Sequence, residues 1–175
     1  MQPASNYFDF FGLPHKLNLD VADLESRFYA LSKQWHPDRF ARGTPEEKRI
    51  SETATATLND GYRTLKEPVS RAEYLLKLRG FDVGQPRSNK APPELLDEVF
   101  ELNTALEEVE SSREQLEHFK QKFVAMCGDL DRDLLAQFAA YDEFENQSNL
   151  EGIRAILNKR KYISNLVAKV EKALA

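Results

Sequence analysis

The sequence predicts an all-α protein in two parts: an antiparallel helical hairpin with short helices beside it, then a three-helix bundle. Three observations carry that expectation. Apolar residues step by three and four nearly throughout, with almost no alternation of period two. Two strong helix-start signals frame the triplet His36-Pro37-Asp38, whose proline and aspartate suit a helix end and a turn. A polar stretch bearing glycine and proline, "GFDVGQPRSNKAPP", then breaks the periodicity near mid-chain. The expected division is residues 1–80, a linker at 81–93, and a bundle over 94–175.

The elements follow in order. "YFDFFGLP" reads as one or two helical turns stopped by Gly12 and Pro14. In the next helix Asp20 is the cap, Asp23 stands where a capping-box acid reaches back, and Leu19 and Leu24 are spaced as a hydrophobic staple. Its expected core stripe is Val21, Leu24, Phe28, Leu31 and Trp35, with Arg27, Lys33 and Gln34 opposite. Past the triplet, Thr44 caps a second helix, Pro45 fills its first position, and Glu46 and Glu47 meet the positive end of its dipole. Its stripe runs Ile50, Ala54, Leu58, Gly61, Tyr62 and Leu65, up to Pro68, and "VSRAEYLLKLRG" forms a short helix ending at Gly80. The two long helices, ~15 and ~22 residues, would span roughly 22 and 33 Å and pair as a hairpin with the triplet at its exposed tip.

Three further patterns make the bundle. They are Leu95, Val99, Leu102, Leu106 and Val109; Leu116, Phe119, Phe123, Met126, Leu130, Leu134 and Phe138, with Gly128 a candidate irregularity; and Ile153, Ile156, Ile163, Val167, Val170 and Leu174.

Composition excludes several classes of function. A net charge of −5 offers no global attraction to nucleic acid or anionic membrane. The start of the chain has no basic segment followed by an apolar run, and no stretch approaches the ~20 apolar residues of a membrane span. With Cys127 the sole cysteine, a reducing compartment, the cytoplasm, is expected. The histidines, His15, His36 and His118, stand apart and share no metal-ligand spacing with Cys127. Cys127 falls in a helical core pattern, which favours packing over nucleophilic chemistry. The seven glycines never cluster as a phosphate cradle, and His36 and Asp38 lack a serine or cysteine for a triad. No metal, cofactor or catalytic residue is expected, and the chain is read as a non-enzyme.

A histidine–proline–aspartate triplet between two antiparallel helices resembles the signature of the J domain, the module with which J-proteins stimulate the ATPase of DnaK-type chaperones. "YFDFFGLP", "WHPDRFA", "LNDGYRTLKEPVSRAEYLL" and "GFD" are more specifically similar to the HscB family, which works with the chaperone HscA and the scaffold IscU in iron–sulfur cluster assembly. The likeness covers essentially the whole chain, strongest from Tyr7 to Asp82. It implies a J domain over 1–80 whose His36, Pro37 and Asp38 stimulate ATP hydrolysis by a DnaK-type, HscA-like partner. It also implies a bundle that binds an IscU-like scaffold. Eukaryotic relatives carry paired CxxC motifs that suit zinc; their absence here points to the bacterial, metal-free type, in the cytoplasm. A single thiol cannot hold a cluster, so cluster chemistry would belong to the partner.

Two surfaces are candidates for contact. Arg27, Lys33 and Arg39 surround the triplet with positive charge and read as a chaperone-docking face, although an ordinary solvated helix side explains the same charges. From Glu94 to Glu110 there are seven acidic residues and no basic one. Leu96 and Phe100 there, and Tyr162 and Leu166 on the last helix, flank the core stripes, edged by Glu101 and Glu108. Either the core-facing surface is broad or these residues form a partner site. The family resemblance places scaffold contacts at Leu96, Phe100, Glu101, Glu108 and Tyr162. Two other readings remain open: a J-protein delivering unfolded clients, which would usually need a glycine/phenylalanine-rich linker, and a structural helical protein with an accidental triplet.

Overall fold

Side-chain caps decide where the helices of this chain begin. The structure, a computed structural model, describes residues 6–81, 93–108 and 112–175. Among them are α1 (Tyr7–Phe11), α2 (Val21–Trp35), a 3-10 turn (Pro37–Phe40), α3 (Pro45–Lys66), α4 (Pro68–Leu78), α5 (Pro93–Glu108), α6 (Arg113–Phe144) and α7 (Gln147–Leu174), with no strand. The Asp20 carboxylate accepts from the amides of Ala22 and Asp23 at the start of α2. Asp23 does not reach back to complete a capping box; its carboxylate accepts from Arg27 Nε at 2.9 Å one turn on. The full box forms at α3 instead, where Thr44 Oγ1 accepts from Glu47 N and the Glu47 carboxylate accepts from Thr44 N at 2.7 Å. At the end of α1, Gly12 takes the left-handed conformation (φ 64°) that a side chain would resist.

Contacts divide the chain into two units, Met1–Leu75 and Leu76–Ala175, so the division falls within α4; most of the expected linker, 82–92, lies outside the described residues. In the first unit Trp35 meets Ser51 and Thr55, while Phe28 packs against Tyr62 with ring centroids 4.4 Å apart and planes tilted by 32°. Early residues of α3 thus meet late residues of α2, which is the antiparallel hairpin. Phe8, Phe11, Leu13, Leu17, Leu24, Leu58 and Leu65 are buried at its base, and α1 closes over it with Tyr7 stacked on Tyr74. Two expected core residues are exposed. Val21 occupies the first turn of α2, and Ile50 is 45% exposed because the buried face of α3 begins one residue later, at Ser51.

In the second unit, Lys120–Glu171 and Asp131–Arg160 pairs set α6 and α7 antiparallel. Glu98–Lys159 and Glu107–Lys169 pairs run in the same direction along both chains and set α5 parallel to α7. Leu106, Leu116, Phe123, Ile163, Leu166 and Val170 form a core cluster, with Phe119, Met126, Cys127 and Leu130 against it. Burial raises the Cys127 thiol above its ordinary value, as suits a packing residue. Leu166, expected beside the seam, is core, and Leu157 rather than Ile156 is buried. Helix α6 passes Gly128 without interruption, and Val109 lies outside the described residues.

Candidate functional site: the hairpin tip and an apolar face of the bundle

The triplet is held from both sides by the chemistry of its neighbours. A residue before proline is driven out of the helical region, and His36 accordingly sits at φ −57°, ψ 130°, ending α2. Pro37 then opens the 3-10 turn with its preset φ. Inside the turn the Arg39 amide donates to the His36 carbonyl at 3.0 Å, and the Asp38 amide donates to His36 Nδ1 at 3.2 Å. A neutral ring accepting at Nδ1 carries its proton on Nε2, leaving that atom as the donor. The side chain of His36 is 54% exposed and that of Asp38 91%. A histidine N–H and an aspartate carboxylate are therefore presented together on an ordered turn, with no adjacent nucleophile. Such an arrangement can recognise a surface.

The three basic residues expected around the turn are not equivalent, and Arg27 lies more than two helical turns back along α2. Lys33 is exposed on the last turn of α2, and Arg39 is exposed with its guanidinium donating to the Lys33 carbonyl at 3.3 Å. Arg27 is half-buried: besides Asp23, its guanidinium donates to the carbonyls of Phe11 at 3.1 Å and Gly12 at 2.9 Å. It ties α1 to α2.

On α5, Leu96 is 48% and Phe100 72% exposed, one helical turn apart. Glu101 and Glu108 are exposed on the same helix, and Tyr162 is half-buried on α7. The Glu98–Lys159 pair, at 2.7 Å, sets the register of these parallel helices and brings Tyr162 to the level of Glu101. Of the flanking residues predicted, only Leu166 is lost to the core.

Comparison with known proteins agrees with this architecture. A family model described as the HSCB C-terminal oligomerisation domain matches residues 91–171. The co-chaperone protein HscB homolog of Shewanella loihica is 36% identical over 171 residues, 96% of both chains. Its counterpart from Vibrio cholerae is 35% identical over 170 residues, 95% of both. The chain belongs to the HscB co-chaperone family. A solved structure of HscB from Vibrio cholerae superposes with a TM-score of 0.71 at 35% identity, covering 97% of this chain and 99% of that one. The crystal structure of human HscB gives 0.76 at 28% identity, covering 98% of this chain and 83% of the human one.

Sequence reasoning missed several residues of this HscB chain. Ser51 and Thr55 both donate hydroxyl hydrogen bonds to the Trp35 carbonyl, at 2.7 and 3.2 Å. Their signal was present: Ser51 lies one heptad before Leu58 and Thr55 three residues before it, on the face toward α2, but the expected stripe ran through their neighbours Ile50 and Ala54. Arg71, 4% exposed, donates to the carbonyls of Leu17, Leu65 and Lys66, and a buried arginine in "VSRAEYLL" gives no periodic hint of itself. Among the described residues no three His, Cys, Asp or Glu side chains group as a metal site, and no helix is long and apolar enough to cross a membrane.

Proposed function

We propose that this HscB chain couples a DnaK-type, HscA-like ATPase chaperone to an IscU-like iron–sulfur scaffold in the bacterial cytoplasm. The J domain supplies the stimulus. His36, Pro37 and Asp38 dock on the chaperone and favour its hydrolysing state by differential binding, doing no chemistry themselves. Lys33 and Arg39 steer that encounter, and the Asp38 carboxylate is matched to an arginine of the partner. Arg27, holding α1, contributes less to docking than the other two. The bundle delivers the client: Leu96 and Phe100 give apolar area, Glu101 and Glu108 an acidic edge, and Tyr162 an amphipathic flank.

The observation that carries this reading is the ordered, solvent-facing histidine–proline–aspartate turn between two antiparallel helices. Pro37 and the turn's internal hydrogen bonds lower the entropy lost on docking. Single-turnover ATP hydrolysis by a DnaK-type chaperone, with and without the full chain, tests it. Acceleration by the parent and none by His36→Gln, with the helical spectrum unchanged, supports the assignment. A His36→Gln variant as active as the parent overturns it.

A further inference from the structure

The geometry points to Ser51 and Thr55 as positioning residues that set the histidine–proline–aspartate turn from across the hairpin, a role that rests on the proposed stimulation of an ATPase. The carbonyl of Trp35 is one of the last in α2, where the helix supplies no amide to satisfy it. Ser51 Oγ reaches it at 2.7 Å and Thr55 Oγ1 at 3.2 Å, two hydroxyls one turn apart on α3 converging on one oxygen. The alternative open to a helical hydroxyl is its own backbone, and the neighbouring threonines take it. Thr53 donates to the Arg49 carbonyl and Thr57 to the Thr53 carbonyl, each four residues back. Ser51, fully buried, and Thr55, half-buried, face α2 instead.

The Trp35 oxygen is a sensitive point to hold. The peptide unit is planar, so fixing that oxygen fixes the plane containing the His36 nitrogen and the direction to its Cα. Pro37 restricts His36 from the other side. Between them the two constraints leave the histidine little backbone freedom, and its carbonyl is then placed to accept from Arg39 N at 3.0 Å. Removing both hydroxyls would leave the electrostatic docking face intact while loosening the turn. The expected signature is therefore a loss of maximal stimulation with little change in the concentration of co-chaperone needed for half of it.

The test uses the full chain with Ser51→Ala/Thr55→Val, which removes both donors at nearly constant shape, beside His36→Gln as a control. We expect maximal ATPase acceleration to fall about tenfold, the scale of a small misplacement of a functional group, with the half-saturating concentration within about twofold. Hydrogen exchange at the Arg39 amide should quicken, and Ser51→Ala/Thr55→Ser, which keeps one hydroxyl on the carbonyl, should recover most of both. Parental stimulation and parental Arg39 exchange in the double variant overturn the proposal, as does a raised half-saturating concentration with an unchanged maximum. Should the double variant not fold, Ser51→Ala and Thr55→Val are measured singly: each leaves one hydroxyl on the carbonyl and should lose about twofold in maximal stimulation with quicker Arg39 exchange, and parental values in both overturn the proposal. If His36→Gln itself stimulates normally, the ATPase reading falls, and Arg39 exchange still decides whether the hydroxyls order the turn.

Discussion

The rings of Trp35 and Phe40 stack with centroids 6.2 Å apart and planes 9° from parallel. These residues flank the triplet on either side, so the stack closes the turn at its base while leaving His36, Pro37 and Asp38 in solvent. An ordered display of polar groups needs an apolar fastening beneath it, because hydrogen bonds exposed to water hold little by themselves.

Replacing Phe40 by alanine removes that fastening. Phe40 is half-buried, and an aromatic pair adds about 0.5–1.5 kcal/mol beyond the area it covers. Phe40→Ala should lower unfolding stability by about 1–2 kcal/mol in urea titration and reduce ATPase stimulation well beyond that modest loss. Parental stimulation would show that the turn keeps its geometry without the stack.

The proposed docking role of Lys33 and Arg39 calls for Lys33→Glu with Arg39→Glu, which should weaken stimulation sharply at low salt. In the parent, stimulation should itself decline as salt rises, since exposed charges are screened over about 10 Å at 0.1 M. Arg27→Ala should behave differently. Losing its bonds to the Phe11 and Gly12 carbonyls should lower thermal stability, by about 1–3 kcal/mol, with only a secondary effect on the salt dependence. A stable Arg27→Ala with abolished docking would reverse these roles.

Gly61 is buried in α3 against α1. A Cβ there would meet Phe11 Cε2 at 2.9 Å and Tyr7 Cδ1 at 3.1 Å. Alanine improves an exposed helix by about 1 kcal/mol over glycine, but overpacking a filled core costs about 1–3 kcal/mol. Phe11 is only 3% exposed and has nowhere to move, so the second effect wins. Gly61→Ala should destabilise the chain by about 1 kcal/mol in denaturant, and any gain in stability would show that the rings yield freely.

How much of this was legible in the residues depends on how local the cause is. Thr44 and Pro45 are adjacent, and their cap could be read directly, whereas Glu47 was read only as a charge at the helix dipole and its reach back to the Thr44 amide was not. The exposure of the triplet also followed from helix lengths and the proline. The Ser51 and Thr55 contacts with Trp35 span 16 and 20 residues, and only tertiary packing decides whether such hydroxyls turn inward or to their own backbone. Leu166 shows a subtler failure. Ile163 and Val170, one heptad apart, are buried as expected, but the helix can pass between them through Leu166 (three then four) or through Val167 (four then three), and counting alone does not choose between these two steps. Leu96 and Phe100 could be placed beside a seam by counting, but their exposure required the fold.

The capping box gives a pH signature. The Glu47 carboxyl is held below its ordinary value of 4.5, chiefly by the Thr44 amide and then by the Thr44 hydroxyl. A depressed carboxyl stabilises the folded form above the ordinary value, and that contribution fades as pH falls through the folded one. Fraying of the first turn of α3 should therefore set in below about pH 4.5, and Glu47→Gln should fray similarly at neutral pH. Amide exchange at Thr44 and Glu47 reads both. Protection that persists unchanged through pH 3 would mean the carboxylate is dispensable to the cap.

The strongest test of the bundle separates interface from core at the same residues. Leu96 and Phe100 are 48% and 72% exposed, so truncating them to alanine removes little buried area. The double variant should melt within a few degrees of the parent, because substitutions at exposed positions usually shift stability by no more than about 0.5 kcal/mol each. If these side chains anchor a scaffold, each truncation costs about 2 kcal/mol or more of binding, roughly thirtyfold in affinity. Tyr162, half-buried on α7, should lose both some stability and some affinity on replacement by alanine, whereas Tyr162→Phe should keep the former. Leu166 is the internal control: it is 3% exposed, and Leu166→Ala should destabilise the bundle by about 2–5 kcal/mol. Calorimetric titration with an iron–sulfur scaffold, beside thermal denaturation, distinguishes the cases. Normal binding by a well-folded Leu96→Ala/Phe100→Ala would move the client site elsewhere on the bundle, while stimulation of the ATPase by the hairpin tip should survive in every one of these variants.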